Sequence, residues 1–411
     1  MLNKNGAREL AYVVRIDEIR PIEGADRVEL AIVGGWQIMV RKNQFKKGDP
    51  AIYFEIDSKV PETEPFKFLE SKHYKIKTQK YFKGKILSQG LLMSAEDFGW
   101  THDFTLDADV PFIKDNEGNF YYDKDESRFL TKKLGVKYAV DEDNIRKANS
   151  IDKYKKMAAR HPALFKKPLF RWLMRQDWGK KLLFIFFGKK RDKTGWPSWV
   201  VKTDEERCQN LTTLLFGDGA WHNEVWIATE KIDGTSTTFT MKRGRFGKNE
   251  FYVCSRNVCF DKKDKQCFYE TNVYTEMAEK YDIQNVLADL LKTHSEAEWV
   301  TIQGETYGKN IQTRDYSIDG HDFVAFNLIM SNTGRWNTLD MKRTLECYNI
   351  PSVPIVEEEY TLPEDIDTLL AYAEGTSKLD KLPREGIVFR SIDGTKSFKA
   401  VSNSFLMKYH G

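Results

Sequence analysis

Hydrophobic and polar positions alternate with two different periods along this chain, and the change of period divides it. In the first hundred residues the apolar positions fall into short runs rich in Val, Ile and Tyr, at 11–19, 28–33, 36–40 and 51–56. Polar or Gly-containing turns such as Gly24-Ala25-Asp26 and Lys47-Gly48-Asp49 separate them. That pattern predicts strands. About five short strands in about a hundred residues fit a small barrel, and an OB-fold is the economical choice. From Trp221 onward the pattern is mixed, so the chain is read as α+β. Strands are predicted at 224–229, 236–242, 251–254, 299–303, 323–330 and 386–390, and helices at 272–292 and 338–348.

Between these halves, residues 115–201 follow neither pattern. Pro162 and Pro168 interrupt the stretch, which predicts two or three short helices. The expected organisation is an OB-fold domain at 1–114, a basic, partly helical insertion at 115–201, and a third region at 202–411. The chain is long enough for two or three cores.

Charge sharpens this division. The net charge of +3 says little as a total, but residues 146–193 hold sixteen Lys and Arg against Asp152, Asp177 and Asp192. A segment of +13 on a body of −10 points to a polyanionic partner, nucleic acid ahead of an anionic membrane. Aromatic residues such as Phe170, Trp172 and Trp178 lie among these cations. They could instead pack as a small subdomain with the lysines outward. Residues 74–91 repeat the mixture on a smaller scale: Lys75 and Lys77 share one strand face, and Lys80, Lys83 and Lys85 surround Tyr81 and Phe82. A barrel face of this kind suits RNA, although lysines also protect a solvated edge strand.

Five cysteines, an odd number with no C-x-x-C pair, argue against a disulfide framework and for a reducing compartment. The polar N-terminus lacks a signal-peptide core, and the longest apolar run, 182–187, is far below the ~20 residues of a spanning helix. A soluble, cytoplasmic, monomeric protein is expected, with no membrane partner.

The residues that could do chemistry follow in a definite order. Thr229-Glu230-Lys231-Ile232-Asp233-Gly234-Thr235 stands between two predicted strands. K-x-D-G alone is a weak signal. Behind it come Ser255-Arg256-Asn257 at a hairpin, Gln303-Gly304-Glu305 on a strand, Phe323-Val324-Ala325-Phe326 with its two rings on opposite faces, Glu385-Gly386-Ile387-Val388, and Ser397-Phe398-Lys399.

This series resembles the covalent nucleotidyltransferases, the superfamily of polynucleotide ligases and mRNA-capping enzymes. Residues 15–30, Gly48-Asp49, Glu55-Ile56-Asp57-Ser58, Ser88-Gln89-Gly90-Leu91 and Lys202-Thr203-Asp204-Glu205-Glu206-Arg207 are similar to ATP-dependent RNA ligases with an N-terminal OB domain, the RNA ligase 5 group. The resemblance implies antiparallel sheets with flanking helices in the catalytic domain, ATP as substrate, and Mg²⁺ or Mn²⁺. It also implies a lysyl-AMP intermediate and an RNA partner with 5′-phosphate and 3′-hydroxyl ends, in nick repair.

Position by position, the resemblance makes Lys231 the nucleophile and Glu230 the reader of the adenine amino group, beside Asp233 and Gly234 of the same motif. Arg256 contacts phosphate or the RNA end, Glu305 accepts from the ribose, and Phe323 stacks on adenine. Glu385 holds the metal through its hydration shell, and Lys399 binds the α-phosphate. Free lysine is a poor nucleophile at neutral pH, so burial and a neighbouring cation are expected to disfavour the Lys231 ammonium.

Two departures stand out. Many relatives carry a second lysine two residues after the first in the last motif, where this chain has Val401; Lys396 or Lys408 are the candidates to replace it. The sequence also shows no C-terminal OB domain of the kind DNA ligases use. The alternatives are a GTP-using capping guanylyltransferase and a non-catalytic RNA-binding protein.

Overall fold

A computed structural model describes residues 1–3, 6–103, 111–123, 126–139, 167–176, 178–179, 182–183, 196–244, 248–256, 258–260 and 272–409. The first apolar run, 11–19, is not one strand. Ala11–Arg15 pairs antiparallel with Pro50–Phe54, which pairs in turn with Leu91–Met93. At Ile16 and Asp17 the chain changes partners: the Ile16 amide donates to the Asp49 carbonyl and the Asp17 amide to that of Ile32. Glu18–Pro21 then joins a second sheet with Val28–Val33 and Trp36–Arg41.

The expected barrel therefore takes the form of two three-stranded sheets and does not close among the described residues. Isolated contacts bridge them instead, including the Gln89 amide donating to the Gln37 carbonyl at 2.8 Å. Tyr12, Trp36, Ile38, Tyr53 and Leu92 fill the space between.

The N-terminal unit extends past 114. Ile113, Tyr121, Leu130 and Val136 share a core with Ala11, Ile52 and Phe54, and the Leu130 amide donates to the Ala11 carbonyl. Residues up to about 136 thus complete the first core and are not linker. The basic insertion lies largely outside the described residues. Its described part holds the short helix Pro168–Leu173, with Trp172 and Trp178 exposed and in edge-to-face contact.

The basic strip near residue 80 forms a hairpin of Gln79–Tyr81 against Ile86–Ser88. Phe82, Lys83 and Gly84 turn it with left-handed backbones. This hairpin leans on the C-terminal part of the chain: Lys80 donates to the Met407 carbonyl at 2.7 Å, and Leu87 packs with Val401 and Leu406.

Two sheets build the C-terminal part. One runs in the order Glu206–Arg207, Ser397–Val401, Gly386–Ser391, Val225–Lys231, Ile355–Thr361. The other runs Cys259–Phe260, Glu250–Ser255, Thr235–Lys242, Trp299–Gly308, His321–Met330, Gly334–Arg335. Leu287, Leu290, Met277 and Leu345 bury a helical layer against the second sheet.

The predicted helix 272–292 is two helices, Val273–Lys280 and Ile283–Thr293. Asn272 caps the first by accepting from the Tyr274 and Thr275 amides, and Asp282 ends it with a left-handed backbone at φ 48°. The strand Ile355–Thr361 has no counterpart in the sequence pattern, because Glu357-Glu358-Glu359 at a solvated edge hides the strand period. Among the described residues no helix is long and apolar enough to cross a membrane.

Candidate active site

The two C-terminal sheets meet at the K-x-D-G motif. Lys231 ends the strand Val225–Lys231, and Thr235 begins the neighbouring sheet, so Ile232-Asp233-Gly234 is the crossing. Gly234 must be glycine here: a Cβ would lie 2.3 Å from the Thr306 carbonyl oxygen. Tyr316 and Gln312 fix the crossing from a loop, Tyr316 Oη accepting from the Asp233 amide at 2.6 Å and Gln312 donating to the Gly234 carbonyl at 2.9 Å.

A cavity of about 360 Å³ opens over this crossing, and Glu230, Lys231, Asp233, Gly234, Arg256, Glu305, Glu385 and Lys399 all line it. Residues spread over 170 positions are thus gathered by strand register. Lys231 pairs with Gly386, which sets Glu385 beside it, and Lys231 Nζ lies 2.7 Å from Glu385 Oε1. Glu305 faces the cavity from Trp299–Gly308, opposite Ser236.

Phe323 is the exception. It is fully buried on the opposite face, in edge-to-face contact with Phe239 and pressed over Gly304, where a Cβ would meet its ring at 2.3 Å. The expectation that it stacks on a base is therefore wrong. Phe326 lines the cavity, with Arg390 5.6 Å above its ring. The pairing of Trp299–Gly308 with His321–Met330 shifts register between Gln303 and Gly304, opposite Phe326. No periodicity in the sequence marks that bulge.

Two charge environments share the cavity. Burial opposes the Lys231 ammonium, but Glu385, Glu305 and Asp233 outweigh it and hold its pKa above the ordinary lysine value. This reverses the expected direction. Withdrawal from solvent, reinforced by Glu385 and Asp233 against Lys231, pushes the Glu305 carboxyl up to about 8. Glu385 Oε2 is buried without a hydrogen-bond partner.

Lys399 differs. Burial lowers its pKa, Lys231 and Arg207 add to the effect, and Asp204 opposes it. Asp204 bridges the cations: its Oδ1 lies 3.2 Å from Lys399 Nζ and its Oδ2 2.5 Å from Arg256 Nη2.

Glu230 is buried with raised pKa, chiefly through desolvation. One of its oxygens accepts from the Lys378 amide at 2.8 Å, and the other has no partner. An unmatched acceptor at a cavity wall suits an amino group. Val401 is buried against Leu87 and Leu406. Lys396 pairs with Glu224 and Lys408 lies over Tyr409, and neither lines the cavity. Neither replaces the missing lysine at this site; Arg390 and Arg256 are the further cations on the wall.

Lys231 with its carboxylates at one end and a cluster of cations at the other thus share one cavity. Residues 224–410 match the family model for RNA ligase, and residues 10–95 match an OB-fold domain model. An RNA ligase-family domain thus follows an N-terminal OB-fold domain in this chain. Its fold is that of the Naegleria gruberi RNA ligase solved with pyrophosphate: TM-score 0.63 and 23% identity, covering 98% of this chain and 99% of that one. A variant of that ligase solved with ATP and manganese gives 0.63 and 22%, covering 98% of this chain and 100% of that one. Another, with AMP and manganese, gives 0.62 and 23%, with 98% and 99% covered. No curated protein sequence matches the chain.

Proposed function

We propose that this protein is an RNA ligase that uses ATP, carries AMP on Lys231, and passes it to an RNA 5′-phosphate before a 3′-hydroxyl closes the strand, in repair of nicked RNA. The observation that carries this reading is Lys231 Nζ at 2.7 Å from Glu385 in a cavity also lined by Arg256, Arg390 and Lys399. The ATP and AMP complexes of the Naegleria ligase support the choice of nucleotide.

In the first step the Lys231 amine attacks the α-phosphorus; an N–P bond forms and pyrophosphate leaves. The ammonium must first give up a proton, and Glu385 Oε1 is within reach to accept it. Lys399 and Arg256 hold phosphate oxygens in line and offset their charge. Glu305 accepts from the ribose, its raised pKa lowering the cost of sitting near two other carboxylates. Glu230 takes the amino group of adenine on its unpartnered oxygen, and Phe326 supplies the stacking surface.

The site also fits a divalent cation. Glu385 Oε2 offers an unused buried oxygen, and no group of three or more His, Cys, Asp or Glu among the described residues forms a protein cage. A Mg²⁺ or Mn²⁺ held through Glu385 and its own waters would supply charge that disfavours the lysine ammonium.

In the second and third steps the OB-fold domain and the basic insertion hold RNA phosphates, so binding weakens with salt. The RNA 2′-hydroxyl is the natural handle for choosing RNA over DNA ends. Labelling with ATP against GTP tests the nucleotide. An adduct formed with GTP alone would replace this reading with a capping-type one.

A further inference from the structure

The cations expected to hold phosphate already hold a carboxylate. Asp204 spends one oxygen on Lys399 and the other on Arg256. Both partners come from distant parts of the chain and line the same wall of the cavity. Asp204 also belongs to that lining, on the stretch that precedes the strand Glu206–Arg207.

Its neighbours on both sides are anchored elsewhere. Thr203 bonds to the side chains of Gln303 and Asn327, and Glu205 pairs with the buried Arg390 at 2.8 Å. The residues on either side of 204 are thus held while the Asp204 side chain is half exposed. A carboxylate with one oxygen on each of two cations presents the charge and spacing of two phosphate oxygens.

We propose that Asp204 is a built-in competitor for the phosphate site: its carboxylate occupies Arg256 and Lys399 and gives way when a phosphate group arrives. This rests on the reading of Lys399 and Arg256 as phosphate ligands. The consequence is kinetic economy. Two cations converging on one site would retain pyrophosphate or an adenylated end tightly, and an internal anion lowers that affinity and hastens release. It also keeps the cations correctly spaced between turnovers, with their charge balanced.

The test is calorimetric titration of the full chain with inorganic pyrophosphate, with chelator present so that no divalent metal bridges the anion. D204N keeps the shape of the side chain and removes its charge. Two ion pairs that share the half-exposed Asp204 set the scale of the competition, so D204N is expected to bind pyrophosphate about three- to tenfold more tightly. D204S should behave alike, which guards against a fold defect peculiar to one substitution. In an R256Q background the gain from D204N should shrink. Equal or weaker binding by D204N overturns the proposal. So does an undiminished gain in the R256Q background, because that would reflect net charge alone. Adenylation of Lys231 is read separately by nucleotide labelling. If labelling fails while D204N still tightens pyrophosphate, the enzyme reading is lost and the competition stands.

Discussion

The two ends of the cavity are built from the same kinds of residue and behave oppositely. At one end Lys231 is surrounded by Glu385, Glu305 and Asp233, and its ammonium is favoured. At the other, burial disfavours the Lys399 ammonium, Lys231 and Arg207 add to it, and Asp204 and Glu205 do not outweigh them. Both lysines are largely withdrawn from water; carboxylates outweigh that burial at Lys231 and fail to at Lys399, where other cations stand nearby. The carboxylate end is where a proton must be moved and a cation can be accepted. The cation end is where phosphate charge is met.

The largest effect on this contrast should come from Glu385→Gln. Lys231 loses its nearest carboxylate and the site loses its free oxygen, so nucleotide labelling should fall at least ~10²-fold, the scale seen when a preorganised electrostatic group is removed. The pH at which Lys231 reacts with a small amine reagent should also move down. A labelling rate within threefold of the wild type would break the carboxylate half of the comparison.

Next in size is Lys399→Ala. It should reduce labelling by roughly 10²-fold at saturating ATP, since the group acts on charge that builds up during transfer. A change confined to KM would move Lys399 to simple binding.

The two phenylalanines three residues apart should separate cleanly. Phe323→Ala empties the core under the sheet and should cost ~3–5 kcal/mol of stability by denaturant titration. Phe326→Ala should leave stability nearly unchanged and raise the KM for ATP up to about tenfold, the scale of one stacking contact. The reverse outcome would restore Phe323 to the site.

The smallest effect concerns Glu305. Its carboxyl sits at about 8 in the fold against an ordinary 4.5, so between those values the unfolded chain releases a proton that the folded chain keeps. Stability from this group is therefore full below about 4.5 and falls as pH rises toward about 8. Glu305→Gln should flatten the decline of melting temperature over that range and leave the wild type the less stable of the two at its upper end.

The legible part of the site was local. K-x-D-G and the strand-borne Glu305, Glu385 and Lys399 could be placed from sequence because strand ends and short motifs carry their own signal. What failed depended on packing between distant segments. The bulge at Gln303/Gly304 decides which phenylalanine faces the cavity, and nothing in Phe323-Val324-Ala325-Phe326 reveals it. Asp204 could be read as part of a motif, but its bridge to Arg256 and Lys399 needs three segments in place.

The fold shows the same division. Alternating strands in the first hundred residues could be read directly. The partner change at Ile16–Asp17 splits a uniform apolar run, and the left-handed Asp282 splits a continuous helical one. Val401 breaks the family pattern of the last motif and has a structural reason, since Leu87 of the N-terminal unit packs on it. A lysine there would bury its charge against leucine.

The measurement that meets the central claim most directly is covalent labelling with α-phosphate-labelled ATP and Mg²⁺ or Mn²⁺, comparing the intact chain with Lys231→Ala. A denaturation-resistant, acid-labile adduct is expected on the intact chain and none on the variant. A folded intact chain that takes no label from ATP or GTP with either metal, or a variant that labels equally well, would contradict it.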